Sequence, residues 1–171
     1  MRKMDVMEAI KARRSIRKFS SRPIEEEKLS AVLEAARLAP SANNAQSWKF
    51  IVVRDKEKIK KLQAACGNQK QVGEAPVVIV VCATRHHNMT CGQPAETIDA
   101  SIAMSFIMLE ACEQGLGTCW LGFFYQDKVK EILDIPDDAT VVAVTPLGYP
   151  DENPAMRPRK SAAEVISFDK F

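Results

Sequence analysis

Residues 76–83, PVVIVVCA, constrain this chain more than any other stretch. Five β-branched residues in succession show no polar alternation. Such a run predicts a strand whose two faces are both covered by apolar partners. The partners are visible in the pattern around it. Residues 97–114 read as a helix that is apolar nearly all round, which places it at the centre of the fold or in a subunit interface. Gly115 and Gly117 end it.

The other elements follow from local signals. Asp5 and Glu8 form a capping-box pattern ahead of a short helix with Val6, Ala9 and Ile10 as its apolar side. PIEEEKLSAVLEAARLAP carries acids in its first turn and apolar residues at Leu29, Val32, Leu33 and Ala36, a helix that stops near Pro40. WKFIVV (48–53) reads as a strand, and Asp55 caps a helix with Ile59, Leu62 and Cys66 on one face. GNQKQVGEA is a polar loop, TRHHNMTCGQPAE another, and TCWLGFF a short strand or turn. QDKVKEILDI is a helix stopped by Pro136, and TVVAVTPLGYP the last strand. The tail, 150–171, is polar, holds three prolines and has little to pack alone. Uneven connections between interleaved strands and helices give an α+β domain, helices packed against a mixed sheet, with the tail leaning on something else such as a second subunit.

Length and charge narrow the function classes. A chain of 171 residues suits one domain that buries roughly two thirds of its unfolded surface. A net charge of +2 does not by itself imply a nucleic-acid or membrane partner. The longest apolar stretch, 98–112, is too short to span a bilayer and contains Asp99 and Glu110, and the N-terminal residues show no secretory h-region. The five cysteines are odd in number with no CxxC spacing, which fits reduced packing residues of a cytoplasmic protein. GLGTCWLG begins like a dinucleotide fingerprint, but Trp120 replaces the third glycine and the segment follows a helix instead of a strand. His86, His87 and Cys91 lack a fourth metal ligand at sensible spacing, and no serine sits in a nucleophile elbow. If the chain is an enzyme, a borrowed reactive group is expected, with no metal.

Charge is distributed unevenly. Residues 1–22 hold Arg2, Lys3, Lys11, Arg13, Arg14, Arg17, Lys18 and Arg22 against Asp5 and Glu8, and RPRK (157–160) is a second basic knot. Cations at a helix C-terminus complement its dipole, which accounts for one arginine there. Two knots distant in sequence also suit a doubly charged phosphate, with Ser15 adding a hydroxyl donor. The asparagine and glutamine groups of PSANNAQSW (40–48) and NQKQ (68–71) fit either loop turns or the edge of a heterocycle.

RRSIR, PSANNAQSW, NQKQ, GLGTCWLGFF and RPRK, in that order, resemble the nitroreductase family of FMN-dependent oxidoreductases over about residues 6–166. RRSIRKF and LAPSANNAQSW are the most specific parts, and the chain resembles a compact member. The resemblance implies an intertwined homodimer with FMN at its interface and an exchanged C-terminal arm that adds an edge strand to the partner's sheet. It also implies ping-pong hydride transfer from NAD(P)H to electron-poor acceptors such as nitroaromatics or quinones. By motif, Arg13 and Ser15 are expected at the phosphate and ribityl chain, and Arg157 and Arg159 complete the phosphate clamp. Arg14 is expected to offer its backbone or stack near the ring. Arg17 is expected at the flavin N1/O2 edge, stabilising the charge that reduction leaves there. Asn68 and Gln71 match the pyrimidine edge. Cys119, Trp120, Leu121 and Gly122 run along the ring, with the N–H of Leu121 or Gly122 near N5. Pro40, Ser41, Ala42 and Asn44 match a loop donated by the partner, supported by Gln46.

Ser47 stands where the family usually has proline, and Gln71 is neutral where some relatives carry lysine. The short 84–96 segment replaces a longer helical lid, implying a more open acceptor pocket; His86, His87 and Cys91 either line it or, as the favoured reading, lie in a solvent loop. Three alternatives stay open: a specialised relative (enone reduction, dehalogenation or ferredoxin-linked), a flavin-binding protein without turnover, and a basic nucleic-acid module. The lack of interleaved aromatics beyond Phe19 argues against the last.

Overall fold

In the computed structural model, which describes residues 4–171, the PVVIVVCA run becomes an inner strand with all seven of its residues buried. Arg2 and Lys3 of the basic run lie outside the described residues. In chain order the helices are α1 (Val6–Ala12), α2 (Glu26–Arg37), α3 (Lys56–Ala65), α4 (Lys70–Glu74), α5 (Ala95–Glu113), α6 (Gln126–Leu133) and α7 (Ala162–Val165). The strands are β1 (Trp48–Val53), β2 (Val77–Ala83), β3 (Gly117–Thr118) and β4 (Thr140–Gly148), in sheet order β1-β2-β4-β3.

Alternation along β2 divides the core in two. Val78, Val80 and Cys82 face Ile59 and Leu62 of α3 and Val129 of α6. Val77, Ile79 and Val81 face Leu29, Val32 and Ala36 of α2 and Ala100, Met104 and Ile107 of α5. The sheet is thus covered by helices on both sides. Each buried valine or isoleucine contributes about 1.5–3 kcal/mol, so β2 alone anchors a large part of the core.

The expected mixed sheet is corrected here: every ladder between named strands is antiparallel. Two covered faces follow from helices on both sides, which does not require parallel neighbours. One parallel contact exists outside the strands, an isolated bridge between Ser15 and Thr118.

α5 occupies the centre, as its apolar composition requires, while Phe106 on its outer side stays 38% exposed. The Asp5–Glu8 capping box opens α1, but only Ala9 is buried; Val6 and Ile10 are 74% and 48% exposed. The segment read as the loop GNQKQVGEA contains α4, held by the wholly buried Val72 although its N-cap makes no side-chain bond. Past β4, residues 155–171 are exposed throughout and include α7 with its Ser161–Glu164 capping box. The outer edge of β1 pairs with no strand among the described residues.

Candidate functional site

The two basic knots meet because the chain leaving β4 runs beside residues 18–20. Ser20 N–H donates to Tyr149 O at 3.0 Å and Asp151 N–H to Lys18 O at 2.9 Å. Ile16 is buried, and its N–H donates to Thr118 O at 2.9 Å, which lays the RRSIR segment against β3. Gly117 makes that approach possible: a Cβ there would stand 2.7 Å from Ile16 Cγ1.

The result is a cleft of about 340 Å³ lined by Ile10, Lys11, Arg13, Arg14, Ser15, Arg17, residues 154–157 and Arg159. Six of its lining residues are cationic and none is acidic. None of these arginines forms an ion pair among the described residues. Charges of one sign packed around a concave surface focus a positive potential, which favours a bound anion.

The individual arginines differ. Arg13 makes no side-chain hydrogen bond among the described residues and is free to face the cleft. The Arg14 side chain is taken up by its own helix, which leaves its backbone as the group it can offer a ligand. Its Nη1 donates to the carbonyls of Lys11, Ala12 and Arg13 at 2.6, 3.0 and 2.9 Å, closing the C-terminus of α1. Arg17 Nη1 donates to Ser15 O at 3.2 Å, while its backbone N–H donates to the Glu152 carboxylate. Arg159 Nη1 donates to Arg157 O at 3.2 Å, binding the second knot to itself.

A strip of chain continues from the cleft. It starts at Thr118, bridged to Ser15, and runs through Cys119, Trp120, Leu121 and Gly122. Cys119 N–H donates to Thr145 Oγ1 at 3.2 Å, and that hydroxyl donates onward to Pro146 O at 2.9 Å. Burial pushes the Cys119 thiol above its ordinary pKa against the opposing pull of Arg17, so it is no thiolate nucleophile. Trp120 packs on the α2–α5 side of the core. The Leu121 N–H is committed to Val144 O at 2.9 Å, so it is not available to a ligand. Gly122 is exposed, and its N–H has no acceptor among the described residues.

Asn68 and Gln71 lie beside this strip, not in the cleft. Asn68 is exposed at φ 59°, and Gln71 Nε2 donates to Gln69 Oε1 at 2.9 Å. Gln69 in turn donates to Cys66 O at 2.9 Å and Phe123 O at 3.1 Å, lacing the two segments together. This long-range role of Gln69 had no signal in the sequence beyond its place in NQKQ.

The structure does not bring residues 40–46 into the cleft. Pro40 and Ser41 lead into a short turn, Ala42–Asn44, held from α5, where the Ala42 N–H donates to the buried Asp99 carboxylate at 3.1 and 3.2 Å. Gln46 N–H donates to Ser41 Oγ at 3.0 Å, and Gln46 Nε2 to Asn44 O and Oδ1 at 3.2 Å. Asn43, Asn44 and Gln46 all sit in the left-handed region, at φ 53°, 54° and 50°; for glutamine that is strained backbone.

The His86 side chain is half exposed, and both of its ring nitrogens also have partners. His86 Nδ1 lies 3.0 Å from Glu96 Oε1 and Nε2 lies 2.8 Å from Asp138 O. The Glu96 carboxylate also accepts from His87 N–H at 3.1 Å, and the His87 Nδ1 is enclosed without a partner among the described residues. No group of three or more His, Cys, Asp or Glu residues could hold a metal ion among the described residues. No helix of the described residues is long and apolar enough to cross a membrane.

The Nitroreductase family model matches residues 10–72 and 63–149. A Methanothermobacter thermautotrophicus protein provisionally named NADH dehydrogenase/NAD(P)H nitroreductase is 41% identical, the match covering 91% of this chain and 82% of that one. A nitroreductase family protein of Clostridium novyi superposes with a TM-score of 0.84 at 37% identity, over 87% of each chain. The NADPH:FMN oxidoreductase of Vibrio harveyi, solved in complex with NAD+, superposes with a TM-score of 0.90 at 29% identity, over 97% of this chain and 77% of that one. With this coverage, and with both basic knots gathered at one cleft, the chain belongs to the nitroreductase family.

Proposed function

We propose that the protein is an FMN-dependent NAD(P)H oxidoreductase of the nitroreductase type, passing electrons to nitroaromatics, quinones or similar acceptors in a ping-pong sequence. The single observation that carries this is the acid-free cleft in which residues 13–17 and 157–159 converge. Its donor set fits a phosphate monoester: planar guanidinium forks for the oxygens and the Ser15 hydroxyl beside them. The names of the relatives, which join flavin and nicotinamide nucleotides, support the same reading.

A bound flavin mononucleotide would supply the hydride-transfer chemistry between a reduced nicotinamide and an electron-poor acceptor. The chain's own residues supply position and charge. Arg13, Ser15, Arg157 and Arg159 hold the phosphate. Arg17, in the lining of the same cleft, would supply a positive charge to stabilise negative charge on the reduced group. Asn68 and Gln71 address the pyrimidine edge, and the Cys119–Gly122 strip backs the ring. The free Gly122 N–H is the donor for the reacting nitrogen, because the Leu121 N–H is already taken. No side-chain acid or base is required.

The molecule acts as one domain over 1–171 in an intertwined cytoplasmic homodimer. Residues 150–171 serve as an exchanged arm, and residues 40–46 complete the partner's site. Two features support this. The outer edge of β1 is unpaired among the described residues, and the tail exposes Val165, Ile166, Phe168 and Phe171, which belong to none of the apolar clusters of the described residues.

The test is anaerobic. Purified protein should be yellow, sediment as a dimer and bleach on addition of NADH or NADPH. Each charge-assisted phosphate contact is worth about 1.5–3 kcal/mol, so Arg13→Ala with Arg159→Ala should weaken FMN binding at least ~100-fold. Full FMN occupancy in that double variant would remove the phosphate assignment, and a colourless protein that takes up no added FMN would remove the function.

A further inference from the structure

The loop at 84–94 is fastened by backbone N–H groups at Thr84 and His87 and, between α5 and the turn before β4, by one imidazole. Both nitrogens of His86 face groups that can only accept: the Glu96 carboxylate at 3.0 Å and the Asp138 carbonyl at 2.8 Å. A neutral imidazole has one N–H and one lone pair, so it satisfies one of these contacts and sets its lone pair against the other. Only the imidazolium donates to both. The surroundings favour that form. Glu96 comes from α5, and the Asp138 carboxylate and carbonyl come from the turn before β4. The Thr140 hydroxyl, on β4, lies 3.5 Å from Nε2 and is the donor to which a neutral ring would turn.

The anchor beneath this contact also serves the neighbouring loop. Glu96 and Asp99 are buried carboxylates one turn apart near the start of α5. Glu96 takes His86 and the His87 N–H, and Asp99 takes the Ala42 N–H. Thr84 N–H donates to Ser47 O at 3.1 Å, which joins the two loops directly.

We propose that His86 is a proton-operated latch that, as imidazolium, pins the 84–94 loop to both α5 and the turn before β4, and that its deprotonation gives up one of these contacts and loosens the loop beside the acceptor pocket. The placement of that pocket rests on the function proposed above and on the sequence reading that the short 84–96 segment borders the acceptor site; the latch itself rests on neither. The hydrogen bond to Glu96, then that to the Asp138 carbonyl, raise the His86 pKa above its ordinary 6.5. Burial opposes ionisation of Glu96, yet its hydrogen bonds outweigh that and leave its pKa below 4.5. The latch is therefore fully formed below 6.5, as long as Glu96 stays ionised, and opens as pH rises through the higher value that His86 has in the folded protein.

The chain has two histidines, so imidazole NMR of the wild type and of His86→Gln assigns both titrations. The His86 resonance should titrate above 6.5, and Glu96→Gln should bring it down. Exchange of the His87 amide, corrected for its intrinsic pH dependence, should accelerate through that titration in the wild type and show no step in His86→Gln. In the flavin-loaded enzyme, the ratio of KM for 2-methyl-1,4-naphthoquinone to KM for 1,4-benzoquinone should fall several-fold across the same range, while kcat with benzoquinone stays level. His86→Gln should hold the low ratio at every pH. A His86 titration at or below 6.5, or a step in His87 exchange that survives in His86→Gln, overturns the latch. A titrating His86 with a flat KM ratio overturns its role at the pocket and leaves the oxidoreductase standing. A protein without flavin chemistry overturns the proposed function, and the NMR and exchange results still decide the latch.

Discussion

Replacing Thr145 with valine removes one hydroxyl and hardly changes the shape of the side chain. Thr145 is wholly buried in β4, and its Oγ1 is the acceptor for the Cys119 N–H at 3.2 Å. In the valine variant that N–H stays buried with nothing to receive it, a cost of about 1–3 kcal/mol. The methyl that replaces the hydroxyl recovers up to ~0.8 kcal/mol, so the net loss should lie between about 0.2 and 3 kcal/mol, with a central value of about 1–2 kcal/mol. For a chain of this length that lowers Tm by roughly 2–8 °C. Thr145→Ser makes the complementary change, keeping the acceptor and losing a methyl. Thermal unfolding at fixed protein concentration without added flavin measures the stability, and amide exchange at Cys119 locates the cause. Valine should expose the Cys119 amide to exchange and loosen the strip proposed to back the flavin, weakening FMN binding; serine should leave that amide protected. A valine variant within ~0.5 kcal/mol of wild type, with the Cys119 amide still protected, would refute the reasoning.

Two further substitutions test contacts elsewhere. Gly67 has φ +67°, and a Cβ there would stand 2.3 Å from the Phe123 ring, so Gly67→Ala should destabilise by about 1–3 kcal/mol in urea unfolding and displace the Phe123 loop. Tyr149 donates to Glu25, and this bond, with help from the Glu25 backbone and Arg22, lowers the Glu25 pKa to about 2. A lowered carboxylate pKa stabilises the fold above 4.5 and loses that contribution as pH falls toward 2. Tyr149→Phe should therefore be less stable than wild type at pH 7, with the gap closing between pH 4.5 and about 2 in pH-dependent unfolding.

The legible parts of this fold are those whose causes are local. Asp5 and Glu8 announce α1 because a capping box closes within four residues, and WKFIVV is a strand in both sequence and structure. α4 was hidden because five polar-rich residues without a capping bond carry no periodicity; its anchor is Val72 reaching a distant core. Strand direction was hidden for a related reason. Valines buried on both sides report that two layers cover β2, not which way its neighbours run. At the candidate site the arginines were visible through their clustering. What distinguishes them was not, since Arg14 folds back on its own helix and Arg13 does not. Asp99, Gln69 and Thr145 each hold a segment far away in sequence, so their roles exist only once the chain has closed.

The burial that lifts the thiols of Cys66 and Cys82 to about 11 has a consequence for a catalyst of this kind. A reduced flavin working in air releases hydrogen peroxide at its own doorstep. Peroxide attacks the deprotonated sulfur, and at neutral pH those two side chains are almost never in that form. Cys91 alone among the five is exposed, so self-inflicted damage would fall on a surface loop and spare the packing that keeps the molecule folded.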